Sequence, residues 1–226
     1  MPRTARFGVA TIALATLSLA SETAQAQTVA DPLATGIFAR AGFVLSSFDP
    51  SGMSFVPQRA PRLRNSGVPV EALTGKQLGF GEMALAGFTA GIGFDARWFY
   101  VRVGADIYEF PQVRGEYEND LRARFTTLAW VSAGPRLRLG SVVLNAGVRV
   151  GALLMNVTEV GSTREGREYS AVGGVYAFDL GAQWRPLRWF ELDVTVGHDF
   201  FTQIGATTFS VAASFGWSRG PTLTRR

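Results

Sequence analysis

Beyond residue 35, apolar residues recur at every second position in eight separate stretches. In one of them Val172, Gly174, Tyr176, Phe178, Leu180, Ala182 and Trp184 alternate with Gly173, Val175, Ala177, Asp179, Gly181, Gln183 and Arg185. Successive side chains of a strand point to opposite faces, so each stretch predicts a strand with one greasy and one polar face. The eight strands fall at about 36–48, 83–94, 98–108, 121–139, 142–157, 170–185, 189–201 and 207–217. The connections alternate in length. A long one, 49–82, carries Pro50, Pro57, Pro61 and Pro69, and Asp95-Ala96-Arg97 then makes a short turn. Residues 109–120 are followed by the two-residue turn Gly140-Ser141, and residues 158–169 by Pro186-Leu187-Arg188; 202–206 close the series. Long loops on one side and tight turns on the other describe an all-β, eight-stranded antiparallel barrel of up-and-down meander topology.

Charge by parity says which face is outside. In this register 52 positions share the apolar parity and none is charged; only Thr127, Asn156 and His198 are clearly polar. The other parity carries eight arginines, five acids and many glycines. A charge on the lipid face of a barrel costs roughly 2–4 kcal/mol at mid-bilayer for Arg or Lys. One charge-free parity therefore predicts a transmembrane barrel, apolar outside and polar inside. The interior of eight strands is filled by side chains. Arg40, Arg102, Asp106, Arg124, Arg136, Arg149, Asp179, Glu191 and Asp193 are the predicted lumen charge network, with Arg122 and Arg138 near the ends of strand four. Such a network serves either as an ion-pair plug or as a path for ions. Phe94, Phe99, Trp184, Phe190 and Trp217 lie beside short turns or the C-terminal end, where a membrane girdle belongs. A soluble, lipocalin-like binder of small ligands is the alternative in which the faces are inverted.

The first 26 residues read as a cleaved signal peptide: Arg3 and Arg6, an uncharged run from Phe7 to Ala20, then Ala24-Gln25-Ala26. Residues 27–226 form one domain. They carry 20 basic and 17 acidic residues, an excess too mild to argue for nucleic acid. All their positive side chains but Lys76 are arginines, and cysteine is absent. No later stretch holds 18 consecutive apolar residues, so no transmembrane helix is expected. No metal cluster, phosphate loop or nucleophile elbow is present, and no cofactor is expected.

The pattern over 36–217 resembles the small eight-stranded outer-membrane barrels, of the OmpA transmembrane domain and OmpX-like class. The last strand, Ser210-Val211-Ala212-Ala213-Ser214-Phe215-Gly216-Trp217, resembles the C-terminal signal recognised by the barrel-assembly machinery. Ser210, Ala212, Phe215 and Trp217 fill its places, with Ala212 where glycine is usual and nine residues following Trp217. The resemblance implies the outer membrane of a Gram-negative cell, with lipid, lipopolysaccharide and the assembly machinery as partners. Barrels of this kind that deacylate lipid A use a His-x-Ser pair. Here His198 is followed by Asp199 and Phe200, and no enzymatic role is expected. The first long connection carries Arg59, Arg62 and Arg64, a candidate contact for phosphate or another anion. Strands four and five exceed the 9–11 residues needed to cross a bilayer, so they extend past it, and a protruding edge invites a partner strand. The expected role is structural or adhesion-like, with a sealed lumen; a narrow porin-like channel is the other reading.

Overall fold

The computed structural model describes residues 35–58, 72–109, 113–114, 120–139, 142–160, 168–187, 189–202 and 204–219. The side chains at 113–114, 120–125, 159–160 and 218–219 fall outside that description. So do residues 1–26, where the signal peptide is read, and Arg59, Arg62 and Arg64.

Eight strands build the barrel: β1 (Thr35–Phe48), β2 (Met83–Asp95), β3 (Phe99–Glu109), β4 (Asp120–Leu139), β5 (Val142–Val160), β6 (Glu168–Leu187), β7 (Phe190–Asp199) and β8 (Thr207–Arg219). Each pairs antiparallel with the next, and β8 pairs back onto β1. Direct partners lead once round from Ile37 through Phe94, Val101, Ala133, Val148, Phe178, His198 and Thr207 to Ser47. The circuit closes ten residues further along β1, from 37 to 47. Such a stagger obliges strands to tilt by roughly 35–45° from the barrel axis.

The two parities face as their chemistry requires. Phe43 is 68% exposed, Leu180 66% and Trp217 77%, while the intervening arginines and acids are buried. That order is the reverse of a lipocalin-like binder, so the inverted-face alternative fails on geometry. One register row of the outer face consists of alanines on six neighbouring strands, Ala213, Ala41, Ala90, Ala105, Ala129 and Ala152. On β1 and β2 it runs beside the paired rings of Phe43 and Phe88, 5.2 Å apart.

The loop end departs from the sequence reading in three ways. First, a bulge between Ala123 and Phe125 shifts the register of β4 on β5. It places Arg122 opposite Thr158, on the parity of outward Asn156, and Arg124 within the bulge, with its side chain outside the description. Second, the long connection after β1 is built rather than open. Asp49 accepts a hydrogen bond from the Ser51 backbone N–H and caps a 3-10 turn, Pro50–Gly52. The chain then contributes the short strand Ser54–Pro57, which pairs with β6 through Val56–Ser170 and Pro57–Tyr169. It also contributes a core of Met53, Phe55, Leu78 and Phe80. These side chains pack with inward Leu128, Leu153, Met155, Val157 and Tyr169, and with Ile204 from the last connection. Third, the protruding edges are covered. Val113–Arg114 pairs with Asp120 and Leu121 of β4; Ser54–Pro57 covers β6 and carries Leu73–Thr74 in turn. Covering strands leave the ends of β4 and β6 without the open ladder that a partner strand would use.

Candidate functional site

The lumen between the short turns and the outer apolar core is filled by ion pairs in three groups. Nearest the turns, Asp95 ends β2 and is 2% exposed, where the sequence reading had placed it in a turn. Its Oδ2 lies 2.8 Å from Arg185 Nη2 and 3.3 Å from Arg136 Nη2. Arg185 Nη2 also meets Glu191 Oε2 at 2.7 Å. Gln183 joins the same group: its Oε1 accepts from Arg136 Nη2 at 3.1 Å and its Nε2 donates to Glu191 Oε1 at 3.1 Å. The guanidinium of Arg185 also lies over the Phe38 ring, 4.4 Å from its centroid.

At mid-depth Asp193 sits between two arginines, with Oδ1 2.9 Å from Arg40 Nη2 and Oδ2 2.8 Å from Arg102 Nη1. Thr195 Oγ1 donates to it at 3.1 Å, and Arg40 Nη2 donates to Ser210 Oγ at 3.0 Å. Gly93 makes the room for Arg102: a Cβ there would stand 3.1 Å from the arginine's Cγ. Toward the loops, Arg149 Nε meets Asp179 Oδ2 at 2.9 Å and its Nη1 lies 3.8 Å from Asp106 Oδ2. Trp130 Nε1 donates to Asp106 Oδ1 at 2.9 Å, and Ser132 Oγ to Asp179 Oδ2 at 3.0 Å. Arg149 stacks over the Trp130 ring at 4.9 Å, and the ring occupies space beside Gly104, whose added Cβ would meet Trp130 Cζ2 at 2.7 Å.

Among the described residues five lumen guanidiniums, those of Arg40, Arg102, Arg136, Arg149 and Arg185, thus face five carboxylates, those of Asp95, Asp106, Asp179, Glu191 and Asp193, and these charges balance. Asp199 is buried too but serves the last connection, accepting from the backbone N–H of Phe201 and Thr202 and from the Thr202 hydroxyl. Arg138 is exposed at the other end of its strand. Between the middle and upper groups lies a cavity of about 10 Å³, lined by Arg40, Arg102, Asn145, Asp179, Gly181 and Thr195 among others. That volume is at the threshold for one water molecule.

The structure brings together the sequence-predicted lumen residues Arg40, Arg102, Asp106, Arg136, Arg149, Asp179, Glu191 and Asp193; the Arg124 side chain lies outside the described residues. The structure adds Asp95, Gln183, Asn145 and Arg185, of which the last three lie on the inward parity of the strand pattern. Asp95 was hidden by its place at a strand end. The residues of the C-terminal motif divide by face: Ser210 and Ala212 are buried inward, Phe215 and Trp217 exposed outward. At the turn end Phe94 packs against Phe99, 6.2 Å between ring centroids, and Phe190 against Phe215 at 5.2 Å. Trp184 is half-buried. Trp98 and Trp189, exposed in the short turns, complete this belt; Trp189 stacks on Phe215 at 6.1 Å. At the opposite rim His198 Nδ1 lies 2.7 Å from Thr207 Oγ1 across the strand pair, and the His198 and Phe200 ring centroids are 4.3 Å apart. A hydroxyl does stand beside this histidine, from the neighbouring strand rather than two residues on. Among the described residues, no group of three or more His, Cys, Asp or Glu side chains could hold a metal ion.

No protein-family model matches the sequence, and no curated protein matches it. By fold, the chain is similar to Ail, the attachment invasion locus protein of Yersinia pestis, in its crystal structure with the heparin analogue sucrose octasulfate. The two share 15% sequence identity and a TM-score of 0.50 over 81% of this chain and 99% of that one. It is similar also to the crystal structure of Neisserial surface protein A, at 10% identity and a TM-score of 0.50, over 80% of this chain and 97% of that one. At such identities the likeness is one of fold: a small eight-stranded outer-membrane barrel.

Proposed function

We propose that this chain is an integral outer-membrane protein whose lumen is closed by paired charges and which acts through its outer surface, without catalysis. The observation that carries this reading is the charge balance of the lumen among the described residues, five against five, around a cavity of about 10 Å³. A conducting path needs a continuous water-filled bore, and eight strands enclose little more than their own side chains. Membrane residence is supported by the outer face, where large apolar side chains stand exposed on all eight strands, far beyond the patch a soluble monomer tolerates. Among the described residues no helix is long and apolar enough to cross a membrane, so the strands are the crossing elements in this reading.

The surface role is supported by the outer third of the molecule, where β4, β5 and β6 carry a second, apolar core beyond the charged lumen. The connection that completes this core also carries Arg59, Arg62 and Arg64, and three guanidiniums within six residues suit a phosphate or sulfate group. Ail, in its complex with a heparin analogue, is a barrel of the same fold holding such a polyanion. Lipopolysaccharide and extracellular sulfated sugars are the partners of that chemistry. The barrel-assembly machinery is the partner during insertion, through Ser210, Ala212, Phe215 and Trp217. His198 is read as a residue of the head-group level: its contacts are Thr207 and an aromatic ring, and a base needs a carboxylate or equivalent to orient it for hydrolysis.

The test is single-channel recording of the refolded chain in a planar bilayer. Insertion without current, with the heat-modifiable gel mobility of a folded barrel, supports the sealed reading. Discrete current steps that change on replacing Arg102 or Glu191 would instead establish a narrow channel.

A further inference from the structure

We infer that the lumen holds one structural water molecule, seated beside Gly181 and bound by Asn145 and its charged neighbours. The inference deepens the sealed-lumen reading and rests on it. Of nine buried side-chain atoms that make no hydrogen bond among the described residues, five belong to residues lining this cavity: Asn145 Nδ2, Asn145 Oδ1, Arg102 Nη2, Arg40 Nε and Asp179 Oδ1. An unpartnered polar atom in a low-dielectric interior is costly, so a cluster of five implies a common ligand.

The kind of ligand follows from the mixture of atoms. Three are N–H donors and two are oxygen acceptors. An anion is repelled by the Asp179 carboxylate and the Asn145 carbonyl oxygen, and a cation by the guanidiniums of Arg40, Arg102 and Arg149. Water uses both kinds: accepting two hydrogen bonds and donating two, it serves both oxygens and two of the three N–H groups. The size agrees, since about 10 Å³ is room for roughly one water centre. The space exists because residue 181 has no side chain. A Cβ there would stand 3.1 Å from Thr195 Oγ1 and 3.8 Å from Asn145 Nδ2, inside the seat. The water joins the Asp193 group to the Asp179 group and makes the two ion-pair clusters one network across the barrel. Enclosed by ion pairs below and by Trp130 and the apolar core above, it exchanges with bulk solvent slowly.

The experiment is water-to-protein cross-relaxation by NMR on isotope-labelled full chain in detergent micelles, read at the Asn145 side-chain amide. A cross-peak of the sign given by a long-lived bound water is expected in the wild-type protein. It is expected to disappear in Gly181→Ala, whose methyl fills the seat, and in Asn145→Leu, while the backbone spectrum of the barrel persists. An observable Asn145 amide without that cross-peak in the wild-type protein overturns the inference, and this result needs no variant to fold. A resonance shift at Asn145 that saturates with chloride or bromide also overturns it, in favour of an anion. Planar-bilayer recording on the same preparation separates the two claims. Current with the cross-peak retained removes the sealed reading and keeps the water; a silent bilayer without the cross-peak does the reverse.

Discussion

Replacing Asp193 by Asn tests whether the lumen is a closed network or a water-filled bore. Asp193 is 1% exposed and holds two guanidiniums within 2.9 Å, those of Arg40 and Arg102. The amide is nearly isosteric, so packing changes little and charge changes by one. One oxygen still accepts from an arginine; the other becomes an NH₂ facing a guanidinium. The loss includes one charge-assisted hydrogen bond, worth about 1.5–3 kcal/mol, and leaves two buried cations with one neutral partner. Removing one partner of a buried pair costs about 3–5 kcal/mol, which is the expected destabilisation here. Arg102→Met makes the comparison. It leaves Asp193 paired with Arg40 and is expected to cost less, about 1.5–3 kcal/mol. The assay is equilibrium urea unfolding in lipid vesicles, followed by tryptophan fluorescence and by the gel mobility of folded and unfolded forms. The same groups around a water-filled channel would be solvated, and a solvated pair contributes about 0–1 kcal/mol. A loss under ~1 kcal/mol for Asp193→Asn, or a larger loss for Arg102→Met, would refute the closed-network argument.

Ala90→Arg places a charge in the middle of the outer face and is expected to destabilise the protein in lipid by roughly 2–4 kcal/mol, measured by the same unfolding assay. Phe55→Ala removes a fully buried ring from the outer core, stacked 5.2 Å from Phe80. It is expected to cost about 3–5 kcal/mol and to raise protease sensitivity of the outer connections, while the heat-modifiable barrel persists on gels. Brominated lipids are expected to quench the exposed Trp98, Trp189 and Trp217 and to spare Trp130, which is 3% exposed. Variants retaining a single tryptophan would read this out, and equal quenching of Trp130 would invert the assignment of faces.

The barrel was legible because lipid and lumen impose opposite chemistry on alternate residues, and alternation survives without any knowledge of register. The lumen residues were legible for the same reason: Arg102, Asp106, Arg149, Asp179 and Asp193 stand on the charged parity and are buried there. Their pairing was not, because Asp193 reaches Arg102 on β3 and Arg40 on β1, and such contacts depend on stagger between strands. Asp95 was missed for a local reason. Asp-Ala-Arg composes a plausible turn, and only the pairing of Asp95 with Gly36 and Tyr100 keeps it in the ladder. The bulge at Arg124 was not legible, because one extra residue in a strand is invisible to a count by parity.

The outer core was missed for a reason that itself locates the membrane surface. On β5 the outward residues Val148, Val150 and Ala152 are apolar beside the inward Arg149. Further along, the order exchanges: Leu153, Met155 and Val157 are buried inward, while outward, beyond the exposed Leu154, stand Asn156 and Thr158. β4 does the same, passing from inward Arg136 and Ser132 to inward Leu128 beside outward Thr127. Nothing in the fold requires this, since the ladder of hydrogen bonds runs on unchanged through Leu153–Gly173 and Met155–Ala171. What changes is the solvent outside. Where the exterior is lipid, apolar side chains face out and the charges must be paired within. Where it is water, the ordinary rule returns and the apolar side chains turn inward, covered by Met53, Phe55 and Phe80 from the first connection. The exchange falls near residue 127 on β4 and between 154 and 156 on β5, where Thr127 and Leu154 are direct partners. In this reading that level is the outer head-group region. A spin label at Val150 is then expected to be accessible to oxygen, and one at Thr158 to a water-soluble nickel chelate. Equal accessibility of the two sites to the chelate would show that the exchange of faces does not mark the lipid boundary.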